Sequence, residues 1–126
     1  MSLGTPQVKV IPKAGVLELL LWFCRRRIRF QVAGSSMSPV LMPDDEVLIS
    51  PRAPVAPGDI VVLQHPFRKD VTLIKGLKQI DDAGQLLVQG LNADESTDSR
   101  SFGAVPRRLL LGKATSWVFR GKEREV

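Results

Sequence analysis

The sequence predicts a mainly β domain, a curled antiparallel sheet with one helix ahead of it. Three observations carry this. Short apolar runs recur from Arg29 onward, each closed by turn chemistry. Helical spacing appears only once, before those runs, over 14–28. At 126 residues and 44% hydrophobic, the chain suits one domain with a modest core.

Residues 1–13, with Pro6 and Pro12, read as a flexible arm. In the helical segment Val16, Leu19, Leu20 and Phe23 recur at helix spacing, and arginines close its last turn, where the helix dipole favours cations. The apolar stretch "GVLELLLWFC" is ten residues long and contains Glu18, whereas a spanning helix needs roughly 20 apolar residues. It therefore reads as an amphipathic helix whose apolar side packs on the core or an interface. A membrane-surface anchor backed by Arg25, Arg26, Arg27 and Arg29 is the other reading. The strands follow as "RFQV" (29–32), "EVLIS" (46–50), "DIVVLQ" (59–64), "VTLIKGLKQI" (71–80) and "QLLVQG" (85–90). "MPDD", "APGD", "HPFRKD" and "DDAG" punctuate them. "RLLLGKATSWVF" (108–119) is a further strand or pair of strands, with Gly112 as a bend, and 121–126 is a frayed tail.

The net charge of +5 permits contact with nucleic acid or an acidic membrane surface. The single Cys24 excludes an intrachain disulfide and a cysteine zinc site, and suits a reducing compartment. Aromatics are 6% with no tyrosine, so stacking surfaces for nucleic acid are scarce and no nucleic-acid partner is expected.

Chemistry concentrates in three places. "AGSSMSP" sets adjacent serines between a glycine and a proline. A serine needs a base to become a nucleophile. The only histidine, His65, sits between a strand and a turn in "LQHPFRK", where a structural role is the plainer reading. Lys75 is the alternative base. Alternation along 71–80 puts it on one face with Leu73 and Leu77, so it either snorkels to water or is held dry. A dry lysine can lose its proton and act as a general base. The polar stretch "GLNADESTDSRSFG" (90–103) reads as a turn-rich loop, or as an ion-paired corner in which Asp98 meets Arg100. Ser96 and Ser99 add hydroxyls to it.

Together these pieces resemble the serine-lysine peptidases of the type I signal peptidase family. "GSSMSP" is similar to that family's nucleophile box, "TLIKG" to its lysine box, and "GLNADESTDSRSFGAVP" to its closing serine-aspartate-serine-arginine box, in the family's order. "PGDIVVL" and "LLGKAT" also fall in order, and the resemblance runs from Phe30 to Val118. It implies a peptidase domain over 29–120, with Ser36 as nucleophile, Lys75 as base and Ser96 as the hydroxyl orienting the lysine. It further implies Asp98 and Arg100 as a structural ion pair, and Gly34, Ser35 and Met37 as oxyanion and wall positions. No metal or other cofactor is implied. Three positions depart from the family pattern: Gly76 stands where an arginine is usual, Leu91 where an aspartate is usual, and Gly34 where some members carry a serine donor.

Within the family the chain is most similar to the short proteases that mature nickel-type superoxide dismutase, through its length, its "HP" segment and the lack of a spanning helix. That implies a protein precursor as partner, removal of its N-terminal extension, and a cytoplasmic location. The alternatives are membrane-associated processing of secretory preproteins with weak surface contact through 15–29, a self-cleaving repressor-type domain, and a non-catalytic basic binding module. About 30 residues precede the sheet, too few for a repressor's DNA-binding domain, and Ala33-Gly34 lies too close to Ser36 to reach back as substrate.

Overall fold

The structure, a computed structural model, describes residues 8–34, 36–91 and 99–121. Its elements are α1 (Val16–Phe23), β1 (Ile28–Gln31), β2 (Glu46–Ser50), β3 (Ile60–Gln64), β4 (Thr72–Ile80), β5 (Leu86–Gln89), a short α2 (Ser99–Phe102), a 3-10 turn (Arg107–Leu109) and β6 (Leu110–Phe119). The strands form one six-stranded sheet in the order β1-β2-β6-β3-β4-β5, every neighbouring pair antiparallel. The expected mainly β domain with one N-terminal helix is therefore present.

Both faces of the sheet are covered, which explains why β2 and β3 are continuous apolar runs. On β3, Ile60 and Val62 join one buried cluster with Met37, Leu41, Val47, Ile49 and Ile74. Val61 and Leu63 join another, with Val55, Leu77, Leu86, Val88 and Val105. β6 runs unbroken through Gly112, but its register against β3 shifts between Val62 and Leu63, so the expected bend is a bulge inside one strand.

From residue 8 on, the expected loose arm is built into the sheet. Ile11 is buried in the first cluster and Val8 packs against it. The backbone of Pro12 and Ala14 exchanges hydrogen bonds with Trp117, at 2.9 and 2.7 Å, and Lys9 N–H donates to the Gly58 carbonyl at 2.7 Å. Asp59 anchors the same arm: its carboxylate accepts from Lys9 Nζ at 3.2 Å and from the Ala56 N–H at 2.9 Å, with Lys113 Nζ 3.5 Å away. Burial alone would raise its pKa. The Ala56 N–H and the two lysines outweigh burial and hold it below the usual carboxylate value.

The helix corrects its predicted length and orientation. It has eight residues, and none is buried. Gly15 offers no side-chain cap, and Arg25 takes a left-handed backbone with φ of 64°, which ends the helix just past Cys24. A helix this short is marginal by itself. What seats it is Glu18, whose carboxylate accepts from the Thr115 and Ser116 hydroxyls and from Arg27 Nε. The one acid faces the protein, and the leucines expected to pack inward face out.

Candidate active site

Ser36 opens the turn that follows β1 and is half-buried. Gly34, two residues earlier, has φ of 78°, a backbone that glycine adopts without strain and serine does not. The glycine that stands where some signal peptidase-type enzymes carry a serine donor is thus the residue this turn requires. Met37 is completely buried, and its carbonyl accepts from the Leu41 N–H at 3.0 Å, closing the turn. Ser38 Oγ is buried with no hydrogen-bond partner among the described residues. The sequence reading passed over that hydroxyl, two positions from Ser36, although it lies in the same serine-rich box.

Lys75 sits in the middle of β4, opposite Val61 of β3 and between Leu73 and Leu77. Only 3% of its surface is exposed. Of the two readings open for a lysine between leucines, the structure selects the dry one, because the second cluster, with Phe102 and Leu109 packed on it, closes that face of the sheet. Lys78, three residues on, is exposed.

The neighbours of Ser36 and Lys75 share one buried cluster. Met37, beside Ser36, and Ile74, beside Lys75, belong to the same buried cluster. By alternation Lys75 itself leaves β4 on the other side, with Leu73 and Leu77. The β4–β5 ladder ends at Gly76↔Gln89, so at Lys75 the strand is already past the end of β5.

Two of the departures from the family pattern have a packing reason. A Cβ at Gly76 would lie 2.6 Å from Val8 Cγ1, so the N-terminal arm occupies the space an arginine side chain would need. Leu91, in place of a carboxylate, packs against the first cluster. Both substitutions extend apolar packing at this end of the sheet.

Ser35, Ser96 and Asp98 lie outside the described residues. Arg100 is on the exposed side of α2. Ser99 accepts a hydrogen bond from the Val88 N–H at 2.9 Å, so its hydroxyl ties the polar box to β5.

His65 is a structural residue. Its Nδ1 accepts from the N–H groups of Phe67 and Arg68, at 3.0 and 3.1 Å, and its ring meets Phe102 edge-on at 5.1 Å. Two donors on Nδ1 require the neutral ring. Burial, and then the charge of Arg68, lower its pKa below the usual histidine value. Such a histidine takes a proton more readily in the unfolded chain, so it contributes stability above pH about 6.5 that is lost as pH falls through its lowered folded value. Denaturant melts of wild type across pH 7 to 5 are expected to show this acid loss. His65→Ala is expected to flatten it and to cost about 1–2 kcal/mol at neutral pH through the two orphaned N–H groups.

Residues 76–119 match the family model for signal peptidase, peptidase S26. The matched segment starts one residue after Lys75 and takes in most of β4, all of β5, the polar box, α2 and β6. It covers about a third of the chain and carries neither Ser36 nor Lys75. The match supports a serine peptidase of the signal peptidase type, and with it a protein substrate. No curated protein matches the chain. Among the described residues no helix is long and apolar enough to cross a membrane.

Proposed function

We propose that the chain is a serine endopeptidase that removes an N-terminal extension from a protein precursor, with Ser36 and Lys75 as the catalytic dyad. The observation that carries this reading is the dryness of Lys75, at 3% exposure inside a strand. Water holds a lysine protonated at neutral pH, with pKa about 10.4, and its removal favours the neutral amine. For this dyad to form, the Lys75 stem must turn past the end of β5 to bring Nζ to Ser36. Neutral Nζ takes the Ser36 proton as Oγ attacks the scissile carbonyl. The Ser36 N–H donates to the oxyanion at the position set by Gly34 and Ser35, and Met37 walls the site. The lysine then protonates the departing amine. Deacylation repeats the relay with water as nucleophile. Ser96 orients the lysine, and Asp98 with Arg100 braces the loop beneath.

The substrate we infer is the nickel-type superoxide dismutase precursor, in the cytoplasm. A serine-lysine pair needs no metal, so it can act before nickel is loaded, and the resemblance in the "HP" segment supports this choice. The test incubates the purified protein with the dismutase precursor, and separately with a secretory preprotein in vesicles, and sequences the new amino termini. The expected product is a dismutase trimmed at one site. Cleavage of the preprotein alone overturns the substrate and leaves the dyad standing.

A further inference from the structure

We propose that α1 and the arginine recess at its C-terminal end form a docking surface for an anionic phospholipid leaflet. The helix is amphipathic with its polar side turned inward. Val16, Leu17, Leu20 and Phe23 are 76%, 69%, 55% and 84% exposed, whereas Glu18 is bound to Thr115, Ser116 and Arg27. Ser116 is completely buried, so Glu18 cannot turn outward without stranding its hydroxyl. The apolar face is thus held toward solvent by the polar anchor.

Charge selects the occupant. Arg25, Arg26, Arg27 and Arg52, with Ser50, line a cavity of about 490 Å³ directly after the helix. Arg27 is paired with Glu18, while Arg25, Arg26 and Arg52 have no acidic partner among the described residues. Arg25 also holds a left-handed backbone at the position after the helix cap, where glycine is the unstrained choice. An apolar face bordered by cations fits acyl chains bordered by phosphates: the leucines and Phe23 enter the acyl boundary, and the recess takes a headgroup phosphate. A second copy would cover the leucines, but a twofold contact there sets the arginine clusters against each other. A nucleic acid would meet the arginines and leave the leucines in water.

The test is co-sedimentation of the full chain, without substrate, with vesicles of equimolar phosphatidylglycerol and phosphatidylcholine and with vesicles of phosphatidylcholine alone. Retention on the anionic vesicles is expected, reduced by salt, and a Trp117→Phe variant should report Trp22 fluorescence quenched by brominated acyl chains. Leu20→Glu combined with Phe23→Glu should lower partitioning about a hundredfold. Arg25→Gln with Arg26→Gln and Arg52→Gln should lower it to a similar extent, about a hundredfold. All five positions are exposed, and circular dichroism confirms that the variants fold. Equal binding to both vesicle types, or binding that neither variant weakens, overturns the proposal. So does a dimer that Leu20→Glu with Phe23→Glu dissociates while vesicles bind no protein, because a second copy then covers the face. Binding is read without turnover, so its failure is distinct from failure of the peptidase reading.

Discussion

Ser36→Ala is expected to abolish precursor cleavage, lowering the rate about ten-thousandfold or more, with the fold unchanged. The hydroxyl sits in a turn whose shape comes from Gly34 and from buried Met37, so its removal leaves the turn in place. Lys75→Ala should match that loss. Lys75→Arg should not rescue it, because a guanidinium keeps its proton at any working pH. Exposed Lys78, on the same strand, supplies the control: Lys78→Ala should leave the rate within about twofold, as surface substitutions commonly do. A base that must be neutral to act makes activity climb toward alkaline pH, and His65→Ala should leave that climb in place. A crystal structure is expected to show Ser36 Oγ and Lys75 Nζ about 3 Å apart, or slightly more without substrate. Wild-type cleavage by Ser36→Ala refutes the assignment, and a pH profile lost in His65→Ala moves the base to His65.

Gly112→Ala is expected to be the most damaging single change away from the site. A Cβ there would lie 2.3 Å from Ile49 Cγ2, 2.7 Å from the Ser50 carbonyl oxygen and 3.0 Å from Pro51 Cα. Two of these are backbone atoms of β2 and the residue that follows it, so β6 can admit the methyl only by parting from β2. Overpacking of this kind costs about 3 kcal/mol, a drop in Tm on the order of 10 °C for a domain this size. Gly15→Ala provides the comparison, since nothing lies within 4 Å of its Cβ position and its φ of −94° suits any residue. Thermal melts of the two variants should separate clearly. Equal melting temperatures would show that β6 is looser against β2 than its register implies.

Leu91 and Gly76 show what kind of question a motif cannot answer. As departures from a family pattern they suggest a weakened site. In the fold they are packing choices, with Val8 in the space beside Gly76 and Leu91 on the first cluster. Nothing local to either residue reveals this, because Val8 comes from an arm whose short polar-apolar mixture has no periodicity of its own.

The strands were legible because a strand's signature is local: four to ten apolar-rich residues and a turn to end them. "EVLIS" became β2 unchanged, and the other strands moved by one or two residues at their ends. The serine and lysine boxes are read from residue type at each position, and as a catalytic pair they stand as the proposal that Ser36→Ala and Lys75→Ala test. Strand order was not legible, because β6 enters between β2 and β3, and only long-range pairing decides which edges meet. The dryness of Lys75 likewise depends on the second cluster and on the segment from Phe102 to Leu109, which closes that face of the sheet. The direction of α1 depended on tertiary structure most of all. Periodicity determined that the segment has an apolar side. Which side meets the protein was decided by two hydroxyls on β6, nearly a hundred residues away in sequence, that bind Glu18 and leave the leucines in water.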